Sequence, residues 1–367
     1  MAIRLTDFPH HSIVGLLMPY GFGIIGCGMI SRFHAKAIAD VPDAKLIGCF
    51  NRSAPFAEKL AAETGCRSYK KLDDMLADPA IQVVVIGTPS GAHTQPALAA
   101  ANAGKHLIIE KPLDITLAGC DAIIAACKKN NVTLSTVFQS RFHHSSRLLK
   151  SAIDENRFGR LTVGDAYVKW FRTQQYYDSA PWRGDWQLGG GGALMNQAIH
   201  SVDLLTWLMG PVAEVIAHTA TLAHERIAVE DTCVATLRFT NGALGVIEAT
   251  TSVYPGYLKR IEIHGTGGSA IMEEEDIKSW DFATKIPSDE AVLQQMAARR
   301  STGGGASDPA AIGHHGHAAQ FADLLDAVKH NRTPAIDGPE GRRSVEIILA
   351  IYKSAKTGSA VSLPLKE

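Results

Sequence analysis

The stretch Tyr20-Gly21-Phe22-Gly23-Ile24-Ile25-Gly26-Cys27-Gly28-Met29-Ile30-Ser31 decides the fold. It reads as a short apolar strand, a turn too tight for side chains, and the start of a helix. Gly26-Cys27-Gly28-Met29-Ile30-Ser31 is a G-x-G-x-x-S variant of the dinucleotide fingerprint. Gly26 suits the tight turn. Gly28 lets the backbone at Met29 and Ile30 approach a pyrophosphate, and the helix N-terminus adds partial positive charge. Ser31 is small enough for the close packing that a third Gly or Ala normally allows. Taken alone, the motif also fits a plain strand, turn and helix.

Outward from this stretch, strands alternate with helices. The pattern predicts helices over Met29–Asp40, Ala54–Thr64, Thr94–Ala103 and Leu117–Lys129. Between them lie strands Lys45–Asn51, Ile81–Gly87, His106–Glu110 and Val132–Phe138. Such alternation means βαβ units and a doubly wound parallel sheet of α/β class, over residues 19–141. Helices on both faces explain strands that are apolar throughout.

From Phe142 the pattern changes. A helix over Arg147–Glu155 is followed by β-rich segments Leu161–Lys169, Val212–Thr221, Thr232–Phe239, Ala243–Thr250, Lys259–His264 and Ser269–Met272. Asn241-Gly242 is a hairpin signal. Residues 142–367 therefore read as an α+β domain with a large, mostly antiparallel open sheet, suited to subunit contacts.

Within it, Gly189-Gly190-Gly191-Gly192 opens an apolar helix that ends at Gly210-Pro211. Asn196, His200 and Asp203 share one face of that helix. The simplest reading is an internal polar network with His200 bonded to Asp203. Residues 281–313 are polar and read as a long loop or lid. His314-His315-Gly316-His317 opens a helix to Lys329. No Cys or carboxylate stands there at ligand spacing, so no metal is expected. A helix over Glu340–Ala355 and a strand over Ala360–Leu363 end the chain.

The composition sets bounds. Of 367 residues, 46% are hydrophobic and 20% charged, with formal net charge −1. A chain without basic excess argues against nucleic-acid or acidic-membrane partners. The six cysteines form no C-x-x-C pair, which suits reduced thiols in the cytoplasm. No apolar run is long enough to span a bilayer. Residues 1–18 read as an N-terminal extension, and Met18 stands directly before the first strand. Neither a G-x-S-x-G nor a P-loop motif occurs.

Ligands bind beyond the carboxyl ends of parallel strands, so the strand ends matter. The second strand ends in Asn51-Arg52-Ser53, where an acidic residue would bind a ribose 2′-OH. Asn51 is neutral, while Arg52 and Ser53 can pair a phosphate, which favours NADP over NAD. Thr88-Pro89-Ser90 with His93 follows the next strand, and Glu110-Lys111-Pro112 the one after. Lys111, held extended by the proline, projects toward the crevice. On position alone it reads more readily as a surface lysine at a loop start than as a catalytic one.

Taken together, the fingerprint, Glu110-Lys111-Pro112, Gln139-Ser140-Arg141-Phe142, Trp182-Arg183-Gly184, the helix carrying His200, and Asp337-Gly338-Pro339-Glu340-Gly341-Arg342 resemble the Gfo/Idh/MocA family. The resemblance implies an NAD(P)-dependent oxidoreductase acting on a sugar, sugar acid, nucleotide sugar or cyclitol. It implies catalytic roles for Lys111 and His200, and a cis Lys111-Pro112 peptide. Gly26, Gly28, Met29, Ile30, Asn51, Arg52, Ser53, Thr88, Pro89, His93, Glu110, Lys111 and Gln139 are the expected cofactor contacts. Arg141, Tyr167, Trp182, Arg183, Asn196, His200 and His317 are the expected substrate contacts.

The family's second motif is commonly D-x-x-x-H, and this chain has Asn196-x-x-x-His200. Asn cannot accept a proton, so Asn196 is expected to hold substrate by hydrogen bonds. Asn here also resembles branches acting on nucleotide-sugar acids and other pyranosides. The same change leaves open a non-catalytic, cofactor- and sugar-binding regulator. A homodimer or homotetramer through the open sheet is what the family implies.

Overall fold

In the computed structural model the first sheet contains β1 (Tyr20–Ile25), β2 (Ala44–Phe50), β3 (Arg67–Tyr69), β4 (Val83–Ile86), β5 (His106–Ile109) and β6 (Leu134–Thr136). Helices α1 (Met29–Ala39), α2 (Ala54–Thr64), α3 (Leu72–Ala77), α4 (Thr94–Asn102) and α5 (Leu117–Lys129) connect them. The structure describes residues 19–298, 306 and 313–366. The extension expected over 1–18 lies outside the described residues.

The strand order is β3-β2-β1-β4-β5-β6, with every pair parallel. The chain reverses its winding between β1 and β4, so a crevice opens beyond their carboxyl ends. Val83–Ile86 are wholly buried, as expected for a strand covered on both faces.

The second part begins with α6 (His144–Asp154) and β7 (Leu161–Lys169). Two short helices follow, α7 (Gln174–Asp178) and α8 (Trp186–Gly189). A π-helical turn over Ala193–Ala198 then runs into α9 (Ile199–Met209). Next come β8 (Val212–Ala220), β9 (Thr232–Phe239), β10 (Leu244–Thr250), β11 (Arg260–Gly265), β12 (Gly268–Glu273) and β13 (Asp276–Phe282). The chain closes with α10 (Pro287–Ala298), α11 (His315–His330), α12 (Gly338–Thr357) and β14 (Val361–Ser362).

These strands form an eight-stranded sheet, β13-β12-β11-β7-β10-β9-β8-β14. It is antiparallel except where β7 pairs with β10. Its inner face packs on α9, whose Val202 and Leu205 are fully buried. Its outer face leaves Val163, Ile216, Val234 and Leu244 exposed.

Two features differ from the sequence pattern. Part of the polar segment 281–313 is helix, α10, rather than loop. Its first turn carries Pro287, Asp289 and Glu290, which suit a helix start. Asp289 is fixed from outside the helix, accepting from Trp280 Nε1 at 2.7 Å and from Arg157 at 2.8 Å. The remainder of that expected lid, apart from Ala306 and Gly313, lies outside the described residues. Second, α11 returns to the first sheet. Phe321 stacks on Phe22 of β1 with ring centroids 6.0 Å apart, and Leu324 and Leu325 join the same apolar cluster. A late helix thus closes the layer that α1 and α2 leave open.

Candidate active site

The fingerprint turn works as its glycines suggest. Gly26 has φ +93°, and a Cβ there would lie 2.6 Å from the Gly87 carbonyl carbon. Gly28 N-caps α1 with no side chain capping it, and a Cβ there would meet nothing within 4 Å. The first N–H groups of α1 therefore keep an open approach, which fits a pyrophosphate. Met29 is exposed and Ile30 half-buried beside it. Ser31 is buried and donates to Gly28 O at 2.6 Å.

Asn51 is turned inward. Its Oδ1 accepts from Cys27 N at 3.1 Å and its Nδ2 donates to Ser53 O at 3.0 Å. It ties the end of β2 to the fingerprint turn. Arg52 and Ser53 are exposed at the same strand end.

Thr88 and Pro89 follow β4 into the crevice region. Thr88 Oγ1 donates to Ala92 O at 3.0 Å. His93 departs from its expected role as a cofactor contact. It is buried, with Nδ1 2.9 Å from Pro112 O and Nε2 3.0 Å from Thr88 O. Both partners are carbonyls, and a neutral ring has one N–H to offer. Burial pushes its pKa down against those two hydrogen bonds. His93 thus clamps the end of β4 to the loop after Lys111.

The Lys111-Pro112 peptide is cis. Lys111 Nζ donates to Asn196 O at 2.7 Å, joining the first sheet to the π-helical turn. Burial lowers the Lys111 pKa, and the Glu110 carboxylate opposes that shift. Glu110 Oε2 accepts from Lys111 N at 3.1 Å. Its Oε1 lies 2.9 Å from His34 Nε2 and 3.9 Å from His317 Nε2. Burial would raise the Glu110 carboxyl, but the His34 hydrogen bond and nearby positive charge hold it below the carboxylate range.

His317 is buried behind Glu110, with Nδ1 unpartnered. Burial pushes its pKa down to about 4. Its near-complete burial removes it from the expected substrate-lining set. The fold also brings carboxylates to the histidine run that no sequence spacing disclosed: Glu110 to His317, and Asp40 to His314 at 2.9 Å.

His200 stands one helical turn after Asn196. Its Nδ1 is buried without a partner, so the simple expectation of a His200–Asp203 bond fails. Asp203 faces Arg141 instead. Phe138 packs edge-on against the His200 ring at 5.9 Å. Burial first, then the positive charges of Lys111 and Lys259, hold the His200 pKa well below the ordinary imidazole value. A neutral imidazole beside a lysine ammonium can accept a proton while the ammonium steadies a negative oxygen.

Arg141 does not line an open pocket. It is buried, donating to Asp203 at 2.8 and 2.6 Å and to Glu340 at 2.7 Å. Those carboxylates outweigh burial and keep the guanidinium charged. Its place is a bracket between the end of the first sheet, α9 and α12. Tyr167 also leaves the expected set. Ala166 and Val168 point into the core, so by the two-residue period Tyr167 points to the outer face. It sits there between Lys169 and Arg260, 5.1 and 5.3 Å from its ring.

Trp182 and Arg183 occupy a short 3₁₀ turn, Pro181–Gly184. Arg183 donates to Tyr176 O at 2.8 Å and lies 4.1 Å over the Tyr176 ring. Gln139 offers a buried Oε1 with no partner, an orphan acceptor that fits a ligand amide.

Sequence reading missed His34, Gln197 and Arg172. His34 faces Glu110 from α1 across 76 positions, a pairing no local pattern signals. Gln197 adjoins Asn196 and could have been weighed with it.

Comparison with known proteins follows the same lines. A family described as an oxidoreductase family with an NAD-binding Rossmann fold matches residues 20–138. The Gfo/Idh/MocA C-terminal domain matches residues 146–271. A myo-inositol 2-dehydrogenase of Thermotoga maritima is 34% identical over 254 residues, 67% of this chain and 73% of that protein. The WlbA dehydrogenase of Bordetella pertussis, solved with NADH and UDP-GlcNAcA, is 37% identical. It superposes with a TM-score of 0.87 over 95% of this chain and 99% of that one. A levoglucosan dehydrogenase solved with NADH and L-sorbose has a TM-score of 0.82 at 26% identity, over 95% and 100% of the chains. The chain therefore belongs to the Gfo/Idh/MocA family of NAD-binding oxidoreductases.

Proposed function

We propose that this dehydrogenase oxidises a CH–OH group of a nucleotide-linked sugar acid, with Lys111, His200 and Asn196 around the reacting oxygen. The observation carrying the reading is the Lys111 Nζ–Asn196 O bond at 2.7 Å, which ties the ammonium to the backbone four residues before His200. The 37% identity to the WlbA dehydrogenase, spread over nearly the whole chain, supports the substrate class. Asn in place of Asp at 196 agrees with it.

A bound nicotinamide would accept the hydride at C4. The hydroxyl proton goes to His200, and Nε2 is the acceptor because Nδ1 is buried. Lys111 Nζ and Asn196 Nδ2 donate to the oxygen as it gains charge. The open N-terminus of α1 would hold the pyrophosphate, and Gln139 Oε1 the nicotinamide amide. Exposed Arg52 favours a cofactor bearing a 2′-phosphate. His93, Arg141, Tyr167 and His317 serve position and packing. The outer sheet face, with Ile216 and Val234 exposed, fits a homodimer contact. Six unpaired cysteines suit the cytosol, and among the described residues no helix is long and apolar enough to cross a membrane.

Absorbance at 340 nm with NAD or NADP and UDP-GlcNAcA, myo-inositol or levoglucosan tests the reading. The nucleotide sugar acid should give the highest kcat/KM. A clear preference for either of the other two would overturn the substrate class.

A further inference from the structure

Among the described residues Asn196 makes one side-chain hydrogen bond, and that bond fixes which end of its amide is free. Gln197 Nε2 donates to Asn196 Oδ1 at 3.0 Å. The orientation of Gln197 is itself forced. Arg172 Nη2 donates to Gln197 Oε1 at 3.0 Å, and a guanidinium has no acceptor, so it can face only the oxygen of that amide. Gln197 Nε2 must then point the other way, where it meets Tyr176 Oη at 2.9 Å and Asn196. Arg172 cannot easily turn away. It is buried, donates to Ala306 O at 3.0 Å and lies 5.0 Å over the Trp170 ring.

The consequence falls on Asn196. With Oδ1 occupied, it presents Nδ2, a donor, on the face it shares with His200. Nδ2 has no partner among the described residues, and the residue is partly exposed. We propose that Arg172, acting through Gln197, locks Asn196 as a hydrogen-bond donor to the reacting oxygen. Gln197 and Arg172 are positioning residues for this reaction. An amide free to flip would present Oδ1 half the time and repel the developing alkoxide. The inference rests on the proposed arrangement of Lys111, His200 and Asn196.

The test is a double-mutant cycle on the intact enzyme, assayed with whichever of UDP-GlcNAcA, myo-inositol or levoglucosan it oxidises fastest. Gln197→Glu is nearly isosteric and keeps the Arg172 contact as an ion pair, so folding is retained. Its carboxylate cannot donate to Oδ1, so Asn196 must turn Nδ2 toward it. Expected is a fall in kcat of about 10²-fold with KM changed less than about threefold, because the lost donor acts on transition-state charge. Asn196→Ala should show the same fall. The double variant should be no worse than either single one, because both remove one interaction. Additive losses, a KM effect alone, or Gln197→Glu at wild-type kcat would each overturn the lock while leaving the dehydrogenase reading intact. No turnover of any of the three substrates by the wild type would overturn the proposed arrangement itself, and the lock with it.

Discussion

Lys111 Nζ lies 2.7 Å from the backbone oxygen of Asn196, so an amine from the end of β5 touches the turn that opens α9. Two chain segments 85 residues apart meet at that contact. In sheets wound this way, ligands bind beyond the carboxyl ends of the strands where the winding reverses, here β1 and β4. The ammonium's place depends on the helix, and the π-helical turn that leads into it gives the ammonium a carbonyl to hold.

Replacing Lys111 tests the contact directly. Lys111→Ala should lower kcat by roughly 10²–10⁴-fold, the range for removing a group that moves or shares a proton. Dinucleotide affinity, read from fluorescence quenching on NADH binding, should be unchanged. Equal loss of cofactor affinity would make Lys111 a phosphate contact.

The pH profile of oxidation follows from two directions. His200 must be neutral to accept a proton, and its pKa lies below the ordinary 6.5. Lys111 must be charged to steady the oxygen, and its pKa lies below the ordinary 10.5. The plot of kcat/KM should therefore be a bell with its acid limb below pH 6.5 and its alkaline limb below pH 10.5. Lys111→Ala should abolish the alkaline limb. A profile that keeps rising beyond pH 10.5 would contradict the role given to Lys111.

Cofactor choice is tested at the end of β2. Arg52 is exposed there, and a charge-assisted bond to a 2′-phosphate stabilises by about 1.5–3 kcal/mol. Arg52→Ala should lower kcat/KM for NADP by about tenfold or more and leave NAD unaffected. Equal change with both would show that Arg52 does not read the 2′ position.

The bracket between the two lobes is tested by Asp203→Ala. The change takes the bidentate partner from the buried Arg141 guanidinium, which keeps Glu340 and the face of the Trp207 ring. Removing one partner of a buried ion pair destabilises by about 3–5 kcal/mol. Urea unfolding should show that loss, whereas Arg32→Ala at the exposed Arg32–Glu63 pair should change stability by less than about 1 kcal/mol. Similar small effects at both sites would deny Asp203 a structural role.

Much of the fold was legible because its signals are local. Ala54–Thr64 and Leu117–Lys129 have the predicted bounds, since glycine stops, caps and apolar spacing act within one helix. The doubly wound sheet followed from the alternation of apolar strands and helices. What escaped was set by distant partners. α10 depends on Asp289 meeting Arg157 and Trp280, and the docking of α11, itself an expected helix, depends on Phe321 meeting Phe22. At the site, residue types were readable but directions were not. Tyr167 went to the outer face through strand parity, and Arg141 was drawn into an ion bracket.

By itself, the sequence determined the dinucleotide turn, because Gly26 is needed wherever φ is positive and backbone passes within van der Waals contact. It determined the two sheet types as well, through periods of apolar residues that any neighbour must respect. Only the tertiary structure decided which way Asn196 points. A side-chain amide has two nearly equal ends, and a guanidinium 24 positions earlier in the chain than Asn196, acting through Gln197, breaks that symmetry.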